Sequence, residues 1–355
     1  MVARLLRPLG LALALCALGP AAARAAANLE TGIADDGAVV EEPDAARAAQ
    51  TVAAWRALGI DNVRLLVHWA RVSPRPGDRR APAGFDLADP AAPGYDWGAL
   101  DRAIALVRGA GMTATLSITG PGPLWATASP AAGNPRLRPL PTLYGRFARA
   151  VALRYGTAVD RYVLWNEPNL PLWLQPQFTC RGRVCTPYAP HLYRRLVRAA
   201  APAIHAVDCD ARVLIGALAP AGQNPRIRNA TMRPLTFLRA LGCVNRRARR
   251  DRSGLCRGFQ PAGAEGIAYH PHGVRRAPDV PSRQPDDAGL ADLRRLEGLI
   301  DAIQRTGGLR NTLGRTRRFD LFFTEYGYQT NPPDRFTGVR PALQAAWLQQ
   351  GAYLA

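Results

Sequence analysis

Lysine is absent from this chain of 355 residues: all 46 of its basic residues are arginine, set against 27 acids, for a formal charge of +19. A cationic excess of that size points first to a polyanion partner. The missing lysine changes its meaning. Arginine, glycine (33 residues), proline (31) and the abundant alanine are the residues of GC-rich codons, so the arginines read as ordinary solvated cations of a GC-rich gene. No DNA- or RNA-binding motif accompanies them, and no nucleic-acid partner is expected. A glycine-rich turn after the first strand-like run is missing too, which argues against a dinucleotide-binding fold. Zinc-type spacing is also lacking, since no two cysteines are separated by two residues and no histidine cluster accompanies them. Neither a metal nor a cofactor is expected.

Long apolar runs are confined to the N-terminus. Arg4 and Arg7 precede an apolar run over residues 9–18 and small residues up to Ala27, the order of a secretory signal. Ten apolar residues are too few to cross a bilayer. Lipid attachment at Cys16 would want a small residue before it, and Leu15 is not small. Cleavage near Ala27 is therefore expected, with 1–27 as signal and 28–355 as a secreted domain free of the membrane. Arg4, Arg7 and Arg24 leave with the signal but no acid does, so the basicity persists. Export implies an oxidising compartment, in which cysteines pair. Cys180 with Cys185 and Cys243 with Cys256 would each pin a local loop. Cys209 is left over, expected to be buried and free or to lack its partner.

At 48% hydrophobic and 21% charged, the chain has a globular composition, which excludes disordered, collagenous and heptad-repeat classes. Strand-like runs occupy 29–35, 62–69, 112–119, 161–166, 212–219, 266–270 and 319–324. Helix-like stretches occupy 44–58, 97–109, 140–155, 187–206, 231–241, 289–305 and 341–354. These make seven strand–helix units with no two strands adjacent in sequence. Strict alternation predicts a parallel sheet, and runs such as 63–67 and 213–218 read as strands covered on both faces. An open doubly wound sheet and a barrel both satisfy the pattern. Loop lengths favour the barrel, because the long loops 77–93, 121–139, 170–186 and 220–230 all follow strands while helix-to-strand turns are short. No linker or second domain is evident. The chain ends at Ala355 after a seventh helix, so the expectation is an α/β fold, a (β/α)8 TIM barrel truncated before its eighth strand, and a polypeptide that is a fragment.

Two glutamates stand just past the carboxyl ends of strands. Glu167 follows strand four in Trp165-Asn166-Glu167-Pro168, and Glu325 follows strand seven in Thr324-Glu325-Tyr326-Gly327. In a barrel these strands face one another across the mouth, so the two carboxylates can converge although 158 positions separate them. Paired carboxylates across a cleft are what glycoside hydrolysis requires. Arg64 lies within an apolar strand, where an arginine is costly unless paired, and beside Glu325 it would keep that carboxylate ionised. Glu167, between Trp165 and Pro168, has apolar surroundings suited to a proton donor.

These segments resemble the clan A glycoside hydrolases, retaining (β/α)8 enzymes, and most nearly the family 5 cellulase-like and family 39 xylosidase-like members. The resemblance implies Glu167 as general acid/base, Glu325 as nucleophile, Asn166 as a contact to the sugar 2-hydroxyl and Arg64 beside the nucleophile. It places His270, in Tyr269-His270-Pro271-His272, where the clan has a His-x-Tyr pair, with His272 standing at the tyrosine position. Tyr326 is a further candidate substrate contact. Trp69, Trp125 and Trp173 fall near strand ends, where they could stack on sugar rings or merely pack loops. His68 and His191 read as structural, and the arginine run 246–252 as a solvated loop. The expected partner is an oligo- or polysaccharide. Two activities follow from different classes: a secreted retaining hydrolase of β-linked glycans such as glucan, xylan or mannan, and a non-catalytic glycan-binding barrel. An inverting enzyme would hold its carboxyl groups further apart, about 6.5–9.5 Å against about 5–5.5 Å for a retaining pair.

Overall fold

The second strand shows how the sequence builds the sheet. Over Asn62–His68, Val63, Leu65 and Val67 enter the apolar core, while the alternate residues Asn62 and Arg64 bond instead to Thr113, Thr115 and Ser117 of the next strand. Period-two alternation thus divides one strand between a helix-covered face and a polar interior. Thr113–Thr119 behaves alike, with Ala114, Leu116 and Ile118 in the core and Thr115, Ser117 and Thr119 on the other face.

A computed structural model describes residues 29–355; the signal segment expected over 1–27 lies outside the described residues. Seven parallel strands form one sheet: β1 (Gly32–Ile33), β2 (Asn62–His68), β3 (Thr113–Thr119), β4 (Arg161–Leu164), β5 (Arg212–Leu218), β6 (Gly266–Tyr269) and β7 (Asp320–Phe323). Each pairs with its predecessor, in parallel, without reversal of order. A doubly wound sheet would reverse its order at a switch point, so the open alternative is excluded. Curvature follows from one contact. Five strand spacings separate β2 from β7, about 24 Å if the sheet were flat, yet Arg64 on β2 donates to Glu325 just past β7 at 2.5 Å. The sheet therefore curls as a barrel wall does. No eighth parallel strand joins it among the described residues, so the architecture is seven strands of barrel order with β1 and β7 as its edges.

The longer helices are α1 (Ala45–Ala57), α2 (Gly98–Gly109), α3 (Pro141–Tyr155), α4 (Ala189–His205), α5 (Pro234–Leu241), α6 (Leu293–Arg305) and α7 (Pro341–Leu354), besides single turns at Asp36–Val39 and Trp69–Val72. Local chemistry sets their starts. Asp44 accepts from the amides of Ala46 and Arg47 at the head of α1, and proline opens α3, α5 and α7. Helices α3 and α4 meet at Gly145, where a Cβ would come within 2.7 Å of the Ala199 carbonyl.

The absence of adjacent strands expected from sequence does not hold. Phe178–Arg181 and Val184–Pro187 form an antiparallel hairpin inside the long loop after β4, and the Cys180–Cys185 disulfide crosses it. Ala262–Ala264 and Leu309–Asn311 form a separate parallel pair. The second expected bridge, Cys243–Cys256, also forms. Cys209 is free but exposed rather than buried. Within the arginine-rich loop, Arg246 pairs with Asp286, while Arg250 donates to the Gly242 carbonyl and lies over the Phe259 ring.

Candidate active site

Arg64 within β2, Ser117 within β3 and residues just past the carboxyl ends of β4, β6 and β7 converge on one polar cluster. Arg64, almost fully buried, fans its guanidinium to three partners: Nε donates to Ser117 Oγ at 2.7 Å, Nη1 to Glu325 Oε1 at 2.5 Å and Nη2 to Asn166 Oδ1 at 2.6 Å. A planar fork satisfied on three sides fixes both acceptors.

The segment after β4 is locally strained. Trp165 and Glu167 both take positive φ, 70° and 39°, a region that costs a non-glycine residue about 1 kcal/mol or more. Three hydrogen bonds hold them there: Trp165 N to the Ile118 carbonyl at 2.9 Å, Asn166 N to Thr119 Oγ1 at 3.1 Å and Glu167 N to the Ala217 carbonyl at 3.0 Å. Ala217 can receive Glu167 because β5 carries a bulge between Gly216 and Leu218, with Ala217 itself at φ 47°. A bulge re-aims backbone in this way.

His270, fully buried, lies between the two carboxylates. Its Nδ1 is 3.3 Å from Glu167 Oε1 and 3.6 Å from Glu325 Oε2, and its Nε2 is 3.0 Å from Thr324 Oγ1. His272, at the position where the resemblance led one to expect tyrosine, places Nε2 3.2 Å from Glu325 Oε2. Glu167 Oε2 accepts from Trp173 Nε1 at 3.3 Å. One carboxylate oxygen from each glutamate and one ring nitrogen from each histidine lie within 4.8 Å of one another.

The electrostatics separate these groups. Burial pushes the Glu325 carboxyl up, but His270, the His272 hydrogen bond and the Arg64 charge outweigh it and hold the group far below the usual carboxylate range. Burial lowers His270 despite both glutamates. For His272 burial also acts downward, but the bond to Glu325 and the two carboxylate charges prevail and raise it. Such a cluster presents an ionised carboxylate opposite a second carboxyl group, suited to attack on an electrophilic carbon and to proton delivery on either side of it.

The other expected residues distribute unevenly. Trp173 reaches the site and stacks on His68 at 5.8 Å between centroids. Trp69 does not: it is fully buried, packed on Phe147 and Tyr144, so it offers no face for stacking on a sugar. Trp125 is buried as well, donating to the Pro74 carbonyl, with its ring edge-on to Phe85. Trp69 thus packs under α3, and Trp125 packs against the long loop after β2. The Tyr326 hydroxyl points to Tyr328 and the Trp347 carbonyl of α7 rather than to the carboxylates.

One cavity opens directly on the cluster, and a second has none of the clustered residues in its lining. The first, about 490 Å³, is lined by Glu167, Gln223, Thr231, His272, Tyr328 and Gln329. The other, about 410 Å³, lies beyond β2 and is lined by Asp36, Glu41, Leu66, His68, Arg71 and Asp96. Asp36 was not anticipated from sequence, and His68 was read as merely structural. Burial pushes the Asp36 carboxyl up to about 6, the Leu66 amide and Arg64 opposing it, and lowers His68 to about 4. The position of Asp36 just past the first strand was the available signal, since residues there point to the same mouth as Glu167 and Glu325.

No protein-family model matches this sequence, and no curated protein matches it. Solved structures do. A family 39 glycoside hydrolase from the gut symbiont Bacteroides cellulosilyticus WH2 is 17% identical, with 92% of this chain and 53% of that one covered at a TM-score of 0.51. A glucosidase from Croceicoccus marinus is 16% identical, covering 84% and 51% at 0.49, and β-glycosidase BGL167 is 18% identical, covering 87% and 72% at 0.49. The chain spans about half the length of the first two. At such identity the likeness is one of fold, and the chain is similar in fold to the family 39 glycoside hydrolase, as the residues around Glu167 and Glu325 led one to expect.

Proposed function

We propose that the protein is a retaining glycoside hydrolase of β-linked glycans, with Glu325 as nucleophile and Glu167 as general acid/base. The observation that carries this reading is the convergence of the two carboxylates on one cluster, an oxygen of each within 4.8 Å of the other, as two carboxyl groups flanking one scissile bond must be. Asymmetry between them supports the roles. Arg64 and two histidines favour the ionised form of Glu325. Glu167 opens onto the larger cavity, where the leaving group would lie.

In the first step Glu167 gives its proton to the glycosidic oxygen while a Glu325 oxygen attacks the anomeric carbon. The bond to the leaving group breaks, and a glycosyl–Glu325 ester forms. In the second, Glu167, now a carboxylate, takes a proton from water that attacks the same carbon and frees Glu325. Asn166, held by Arg64 Nη2, would meet the sugar 2-hydroxyl, and Trp173 would orient Glu167. The two disulfides support export to an oxidising compartment, and no helix among the described residues is long and apolar enough to cross a membrane.

Azide rescue tests the assignment. Wild type should hydrolyse activated aryl β-glycosides, E325A should lose at least 10³-fold in kcat, and azide should restore turnover in E167A with release of a β-glycosyl azide. Wild type as inert as E325A across a panel of aryl glycosides, yet retaining a glycan in a binding assay, would replace the enzyme by a glycan-binding barrel.

A further inference from the structure

The same cluster has the donor set of a transition-metal site. We propose that Glu167, His270, His272 and Glu325 bind one Zn²⁺ ion, which would exclude substrate and act as a reversible inhibitor. Only the inhibition rests on the hydrolase reading; the binding rests on geometry.

Zinc takes nitrogen and carboxylate-oxygen ligands tetrahedrally at about 2.0–2.2 Å, so neighbouring ligand atoms stand roughly 3.3–3.6 Å apart. Three edges of such a tetrahedron are already in place: His270 Nδ1 to Glu167 Oε1 at 3.3 Å, His270 Nδ1 to Glu325 Oε2 at 3.6 Å, and His272 Nε2 to Glu325 Oε2 at 3.2 Å. The remaining edges are within 4.8 Å, and side-chain shifts of about an ångström would close them.

Three of the four ligands are also oriented by a second partner at the far atom, as metal ligands characteristically are. Glu325 Oε1 is held by Arg64, Glu167 Oε2 by Trp173 Nε1 and His270 Nε2 by Thr324 Oγ1. The atoms left facing inward are the four donors. Two carboxylates bring two negative charges, and Arg64 offsets one of them from the opposite side of Glu325. The position that distinguishes this cluster is His272. A tyrosine there would offer only a phenol that ionises far above neutrality, and the second nitrogen ligand would be lost. Two imidazoles select zinc over magnesium, which prefers six oxygen ligands in octahedral array.

Isothermal titration with ZnCl₂ at pH 7 decides the matter, using the full chelator-treated chain in a C209S background so that the exposed free thiol contributes nothing. The expected result is one Zn²⁺ per chain, at least tenfold weaker binding in both His272→Tyr and His272→Asn with folding checked by circular dichroism, and no saturable heat with MgCl₂. Zinc should also raise the melting temperature of the parent and not of the His272 variants. No saturable zinc heat, equal affinity in the His272 variants, or equal binding of magnesium would overturn the proposal. Hydrolysis is read separately: zinc should raise the apparent KM for an aryl glycoside, with chelator restoring it, whereas a protein that hydrolyses nothing but still binds one zinc through His272 refutes the hydrolase reading and leaves the metal site standing.

Discussion

Arg64 and Glu325 are 261 positions apart in sequence and joined by a single 2.5 Å hydrogen bond between the second strand and the seventh. That pair ties the fold to the chemistry, because it links nearly opposite parts of a curled sheet and places an ionised carboxylate at its mouth. Arg64 is almost fully buried, and its partner has a quarter of its side chain exposed. Removing one member of a buried pair leaves the other uncompensated, at about 3 kcal/mol or more. R64M should therefore lower the unfolding free energy by about 3 kcal/mol in urea titrations and abolish measurable turnover. R64K keeps the charge but cannot serve Ser117, Asn166 and Glu325 together. It should lose on the order of 10²-fold in kcat/KM while staying folded, and an R64K enzyme of wild-type activity would refute the proposed role of the fork.

Trp173 offers a second test through its bond to Glu167 Oε2. W173F keeps an aromatic ring beside His68, though a smaller one, and removes the indole N–H that Glu167 accepts. Proton delivery matters when the leaving group is basic and little when it is already acidic. Turnover of an alkyl or unactivated phenyl glycoside should fall about tenfold in W173F, with that of a dinitrophenyl glycoside nearly unchanged. Equal losses on both substrates would mean that Trp173 positions the sugar rather than the acid.

How legible all this was in the sequence depends on which physical signal each residue carried. Strands and helices were readable because apolar runs alternate with amphipathic ones, and β2 through β7 lie within a few residues of the runs that predicted them. Glu167 and Glu325 were readable because each ends such a run. Trp69 was not, since an indole beside a strand end has no sequence feature separating a cleft face from a core face; packing on Tyr144 and Phe147 decided it. The hairpin over 178–187 was hidden because its strands are only four residues long and largely exposed, too short for period-two alternation to show. The positive φ of Trp165 and Glu167 was equally silent, because it depends on a bulge in β5 that places the Ala217 carbonyl beneath Glu167.

Asp36 makes a prediction with a definite sign in pH. Burial raises its folded pKa to about 6, above the unfolded value of 3.8. Between those values the folded chain binds more protons than the unfolded one, so this group's contribution to stability falls as pH rises from about 4 through 6. D36N retains an acceptor for the Leu66 amide and removes the charge. It should be more stable than wild type at pH 8 by on the order of 2 kcal/mol, with no gain at pH 4. A gain equal at both values would assign the effect to packing instead of ionisation.

The His205–Glu265 pair also loses stabilisation as pH rises, but at higher pH, and here removing the group costs stability instead of adding it. His205, at the end of α4, lies 3.4 Å from Glu265 Oε2, and the hydrogen bond to Glu265 raises it above its ordinary value against its own burial. Burial would raise Glu265, but bonds from His205, Thr312 and the Val213 amide prevail and lower it. The histidine's contribution is therefore complete below about pH 6.5, its unfolded value, and is lost as pH rises through the folded pKa. The glutamate's is complete above about 4.5 and is lost as pH falls through its own lowered folded value. Both are present only between those limits, so H205Q should cost about 1 kcal/mol at pH 5.5 and markedly less at pH 9 in chemical unfolding. A cost that stays constant or grows toward pH 9 would show that the ring stabilises α4 by packing alone, without the charge on its imidazole.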